Sequence, residues 1–82
     1  MPAMKPEQVA ALIRAAMPAA QVDVQSEDDT HFAALVVSEA FQGMRSLARH
    51  QLVYRALGEL VGREIHALSI DAQTPAELAA RR

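Results

Sequence analysis

Cysteine is absent from this chain, and so is tryptophan. Without cysteine, no disulfide can staple the fold and no thiolate of its own can act as nucleophile or metal ligand. Aromatic residues are scarce: Phe32, Phe41 and Tyr54 are the full set, so any core is built largely from Ala, Leu and Val. The three glycines, Gly43, Gly58 and Gly62, form no Gly-rich phosphate loop, and no His-Glu-x-x-His spacing occurs. Ser38, Ser46 and Ser69 have no evident activating base and read as ordinary polar positions, so no enzymatic activity is expected. The longest apolar run, Phe32 to Val37, falls far short of the roughly 20 residues that span a bilayer. No basic segment followed by an apolar stretch opens the sequence, so no secretory signal and no membrane partner are expected. A cytoplasmic chain is the expectation.

What is present fits one domain, residues 1–82. A chain this short buries only about 60% of its unfolded surface, so the apolar residues must be well placed. The net charge of −2 conceals an asymmetry. From Ala20 to Glu39 the charged residues are Asp23, Glu27, Asp28, Asp29 and Glu39, with no Lys or Arg. From Ala40 to His66 they are Arg45, Arg49, Arg55 and Arg63 against Glu59 and Glu64. An acidic hairpin followed by a mildly basic helix is expected. The basic face could touch phosphate, but so few arginines make a weak electrostatic footprint, and a solvated helix face is the better reading.

Periodicity supplies the elements. Pro6 suits the first turn of a helix that carries Val9, Leu12, Ile13, Ala16 and Met17 on one stripe and stops at Pro18. Gln21–Ser26 alternates, with Val22 and Val24 on one face, and predicts a half-buried strand. The polar segment Ser26-Glu27-Asp28-Asp29-Thr30 turns the chain back into a strand over His31–Val37, apolar on both faces as a central strand would be. Glu39–Gly43 reads as a short helical turn. The longest helix is expected over Arg45–Val61, with Val53, Leu57, Leu60 and Val61 buried, His50 on the same stripe, and Gly62 as the C-cap. Ile65–Asp71 predicts a third strand, with His66, Leu68 and Ile70 sharing one face. Thr74-Pro75-Ala76-Glu77 is a capping box that starts a last helix over Pro75–Ala80. The order αββααβα implies an α+β fold: a three-stranded mixed sheet with helices packed on one face.

Three segments together resemble the BolA family: Phe41-Gln42-Gly43, Arg49-His50-Gln51-Leu52-Val53-Tyr54 and Ile65-His66-Ala67-Leu68-Ser69-Ile70. Thr74-Pro75-Ala76-Glu77 extends the resemblance, which is nearest to the IbaG-type branch and covers about Val9 to Leu78. One departure is Leu78, where relatives often carry tryptophan. The resemblance implies a type II KH-like fold and a role in iron–sulfur cluster assembly, trafficking or sensing, with a monothiol glutaredoxin as partner. In that heterocomplex a 2Fe-2S cluster is shared between the two proteins and glutathione. The isolated chain is expected to hold no cofactor and to be a monomer or weak homodimer. The implied ligands are His66, at the start of the third strand, and His31, from the loop before the second.

The chemistry of those residues is consistent with the implication. Neutral imidazole ligates iron, and a mixed Cys/His shell raises a cluster's potential and makes ligation proton-sensitive. Without the resemblance, His66 on an apolar strand would read as a packed core histidine and His31 as a solvated loop residue. His50 is expected to pack against the sheet and hydrogen-bond there. The alternative role is that of a nucleic-acid-binding transcriptional regulator, with DNA as partner and Arg45, Arg49 and Arg55 as contacts. Against it, Gly43 is followed by Met44, Arg45 and Ser46, so the Gly-x-x-Gly loop by which KH domains clamp a backbone is missing.

Overall fold

Strand pairing starts at the acidic hairpin. In the computed structural model, which describes residues 4–81, β1 (Gln21–Gln25) and β2 (His31–Val37) run antiparallel. Val22 lies opposite Val36, and Val24 opposite Ala34. β3 (Ala67–Gln73) pairs in parallel with the other side of β2, setting Phe32 beside Leu68, Ala34 beside Ile70 and Val36 beside Ala72. β2 is therefore the central strand, as its apolar run predicts. Because strand side chains alternate between faces, Val22, Phe32, Ala34, Val36 and Ala72 are buried together. On the opposite face Asp23, Gln25, Ala33 and Ser69 are exposed. The helices Pro6–Ala16 and Ser46–Leu57 pack on the first face, and the chain adopts the expected α+β architecture.

α1 (Pro6–Ala16) begins at Pro6, with the Gln8 side-chain oxygen accepting the Lys5 backbone N–H at 2.7 Å. Its stripe of Val9, Ala10 and Ile13 joins Met17 in the core before Pro18 ends the helical path. A parallel strand pair needs a long crossover. Here it consists of a 3₁₀ turn (Glu39–Phe41), α2 (Ser46–Leu57) and a second 3₁₀ turn (Gly58–Leu60). Phe41, Val53, Leu57 and Ile65 carry this crossover into the core. α3 (Pro75–Ala80) starts as predicted: Thr74 Oγ1 accepts the Glu77 N–H at 3.1 Å, and Glu77 Oε1 accepts the Thr74 N–H at 2.8 Å. No helix among the described residues is long and apolar enough to cross a membrane.

Several boundaries differ from the expected ones: β1 ends at Gln25, α2 starts at Ser46 and β3 runs on to Gln73, and two further shifts have local causes. The long helix stops at Leu57 instead of Val61, because Gly58 takes φ 57° and ψ −130°, dihedrals that end a helix and that L-residues avoid. Gly62, expected as the C-cap, instead serves the next turn, where its φ is 92° and its N–H reaches the Ile65 carbonyl at 2.7 Å. The third strand begins at Ala67 and not at Ile65, since the register opposes Ala67 to His31. The N–H groups of both His66 and Ala67 bond to the Thr30 carbonyl, at 2.9 and 3.1 Å. His66 therefore precedes the strand and is exposed, whereas the expectation placed it on the face of Leu68 and Ile70; Ile65, fully buried, takes the inward position.

Side chains also reach the backbone of the two outer strands. Arg14 donates to the Val22 carbonyl on β1 at 2.8 Å, and Arg49 to the Ala72 carbonyl on β3 at 3.0 Å. The Tyr54 hydroxyl lies 3.5 Å from the Leu68 carbonyl, a long bond on the same β3 edge.

Candidate metal centre

The hairpin turn is organised by two short polar side chains. Ser26 Oγ donates to the His31 carbonyl at 2.6 Å and accepts the Asp29 N–H at 2.9 Å. Asp28 Oδ1 accepts the N–H groups of Thr30 and His31 at 3.0 and 2.9 Å. Such side-chain-to-backbone bonds let Asp and Ser replace regular pairing within a turn. Asp29 adopts φ 58°, a left-handed value that Asp tolerates, and its carboxylate pairs with Lys5 at 2.8 Å. This last contact ties the loop to the head of α1.

That turn delivers His31 as the first residue of β2. Its ring is exposed, and Nδ1 lies 2.7 Å from Asp28 Oδ2 and 3.1 Å from Thr30 Oγ1. The Asp28 carboxyl is held well below the usual carboxylate range, first by the His31 backbone N–H, then by that of Thr30, then by the His31 side chain. His66 arrives at the same end of the sheet because β3 runs parallel to β2. The two imidazoles meet edge to face, with centroids 5.3 Å apart and planes at 83°. A hollow of about 380 Å³ lies beside His31, lined in part by Gln25, Asp28 and Phe32.

The structure thus brings together the two histidines singled out in the sequence. It also reveals a residue that the sequence reading passed over, Asp28, although a carboxylate three residues before a candidate ligand is a usable signal for a ring-orienting partner. Among the described residues, no group of three or more His, Cys, Asp or Glu side chains is placed to hold a metal ion. Two imidazoles are half of a four-ligand set, so the donors suit a cluster completed by another molecule and not one held by this chain alone.

The third histidine and the arginines are placed differently. His50 is half-buried on α2, and no hydrogen bond to its ring occurs among the described residues, contrary to expectation. The hydrogen bonds that fix this helix come from its neighbour. The Arg49 side chain is only 11% exposed and donates to the carbonyls of Met44 and Ala72 at 2.9 and 3.0 Å. It also makes a two-pronged pair with Glu77 at 2.6 and 3.1 Å and lies over the Phe41 ring. That guanidinium holds the Glu77 carboxyl down to about 2, assisted by the Thr74 N–H. Arg49 therefore clamps α2, β3 and α3. Arg45 and Arg55 are exposed, leaving a basic face thinner than the sequence suggests.

At the other end of β2, a cavity of about 430 Å³ is lined by Ala19, Val37, Ala40, Pro75 and Leu78 among others, so the space beside Leu78 is open. It lies away from the histidines.

A family model described as "BolA-like protein" matches residues 2–77. The chain belongs to the BolA-like family. Among BolA-like relatives, BolA-like protein 1 of Mus musculus is 48% identical over 54 residues, covering 66% of this chain and 39% of that protein. Acid stress protein IbaG of Escherichia coli is 45% identical over 58 residues, 70% of this chain and 69% of that protein. The matches to the mouse, human and Arabidopsis relatives span only 33% to 39% of those proteins' lengths. Among solved BolA-like structures, a bolA protein homologue from Coxiella burnetii superimposes with a TM-score of 0.82 at 32% identity. That superposition covers 93% of this chain and 97% of the other.

Proposed function

We propose that this BolA-like chain is an adaptor in iron–sulfur cluster assembly, trafficking or sensing. It pairs with a monothiol glutaredoxin and contributes His66 and His31 as ligands to a 2Fe-2S cluster, whose other ligands are the thiolates of the glutaredoxin and of glutathione. The observation that carries this reading is the pairing of the two exposed imidazoles, 5.3 Å apart, at one end of the sheet. Both rings are open to an approaching protein. Two histidines on one iron of a two-iron cluster is an established ligand pattern for such centres. The chain's lack of cysteine makes a partner necessary, since it has no thiolate to complete the set.

The nucleic-acid reading is weakened by the geometry of Arg49, whose guanidinium is fully engaged inside the protein. The test is reconstitution. The purified chain is mixed with a monothiol glutaredoxin, glutathione, ferrous iron and sulfide, and visible-region absorption and circular dichroism are recorded. The expected result is a spectrum distinct from that of the glutaredoxin homodimer, lost in His66→Ala and altered in His31→Ala while far-ultraviolet circular dichroism stays native. A spectrum indifferent to both substitutions overturns the ligand assignment.

A further inference from the structure

The turn before β2 does more than reverse the chain. Asp28 divides its two oxygens between separate tasks. Oδ1 accepts the backbone N–H groups of Thr30 and His31, which fixes the carboxylate relative to the strand it precedes. Oδ2 is then left 2.7 Å from Nδ1 of the His31 ring. An ionised carboxylate can only accept hydrogen bonds, so the hydrogen between these atoms belongs to Nδ1. Thr30 Oγ1, 3.1 Å from the same nitrogen, is a second acceptor for that N–H. A neutral imidazole carries one ring hydrogen. With it on Nδ1, Nε2 keeps its lone pair, and no protein group among the described residues bonds to Nε2 of His31. Free histidine favours the opposite tautomer, so this arrangement is imposed by the turn.

We propose that Asp28 is a positioning residue for the candidate centre: it holds His31 as the Nδ1–H tautomer and presents Nε2 as its ligating atom. The inference rests on the ligand reading given above. A carboxylate behind a ligating histidine also orients the ring and strengthens it as a donor. His66, with no comparable bond to its ring among the described residues, relies on its place ahead of β3 alone.

The discriminating variant is Asp28→Asn. Its amide oxygen can take the two backbone N–H groups, so the turn survives. Its amide nitrogen then faces Nδ1 as a donor, which reverses the tautomer and places the ring hydrogen on Nε2. The first measurement is ¹⁵N NMR of the histidine rings in the isolated, metal-free chain at about pH 8, where ordinary histidines are neutral. His31 is expected as the Nδ1–H form in the parent chain and as the Nε2–H form in Asp28→Asn. Asp28→Ala serves as the second variant and is expected to release His31 to the free-histidine preference. The second measurement is cluster retention in the reconstituted glutaredoxin complex, expected to fall about 10-fold in Asp28→Asn, the lower end of what an outer-shell partner contributes. An unchanged His31 tautomer in both variants overturns the proposal. So does a reversed tautomer with full cluster retention, if His31→Ala does disturb the cluster. If neither histidine variant moves the spectrum, the ligand reading fails by itself, and the metal-free NMR still decides whether Asp28 sets the ring.

Discussion

Ile65 and His66 are neighbours with opposite tasks, and a single methyl group separates them experimentally. Ile65 is fully buried, whereas His66 is exposed. The Ile65 N–H bonds to the Leu60 carbonyl at 2.9 Å, and the His66 N–H to Thr30 at 2.9 Å. Ile65→Val removes one buried methyl-sized group and leaves both backbone bonds intact. Such a change costs about 0.5–1.5 kcal/mol, centred near 1. A domain of this length has roughly 4–12 kcal/mol of stability, at about 0.05–0.15 kcal/mol per residue, so the variant stays folded. With a urea m-value of about 1 kcal/mol/M for so small a protein, the unfolding midpoint should fall by about 1 M at constant m. The melting temperature should drop by about 4–8 °C. Reconstitution well below that temperature should give the parent visible spectrum, because the His66 ring and its backbone anchor are untouched. A midpoint shift below about 0.3 M, or a changed m-value, would refute the packing argument. A parent-like stability combined with a lost cluster spectrum would refute the division of tasks.

Two further outcomes follow from local geometry. The Glu77 carboxyl, held at about 2 instead of its ordinary 4.5, contributes stability that is complete above pH 4.5 and lost as pH falls toward 2. Arg49→Gln should move the Glu77 midpoint, read by ¹³C NMR of the carboxyl carbon, up toward 4.5; an unmoved midpoint would show that Arg49 is not its cause. Gly58→Ala should destabilise the fold by about 1–3 kcal/mol in urea, since φ 57° with ψ −130° is hostile to a side chain even though the space there is open. A neutral substitution would mean that α2 can end without this conformation.

Much of this was legible from local chemistry. Alternation over Val22 and Val24, the apolar run of β2 and the Thr74–Glu77 box are short-range signals, and the structure honours each. The histidine pair was accessible by topology, because parallel strands that begin at His31 and near His66 must start side by side. What escaped depends on contacts distant in sequence. The start of β3 is set by its register with β2, and no feature of Ile65-His66-Ala67 announces which residue pairs first. Gly58 and Gly62 are equivalent as sequence signals, so the helix stop fell on the wrong one. Arg49 resembles any surface arginine until Glu77, Ala72 and Met44 are folded around it.

The bonds from Arg14, Arg49 and Tyr54 to strand carbonyls bear on how such a chain survives at high concentration. In a sheet of three strands two are edges, and an edge is a template for a foreign strand. Here an arriving backbone meets a guanidinium at Val22 on one side, and a guanidinium and a phenol at Ala72 and Leu68 on the other. Those three acceptors are already engaged. At these positions protection against edge-to-edge pairing is thus built from helix side chains, in a sheet that does not close on itself.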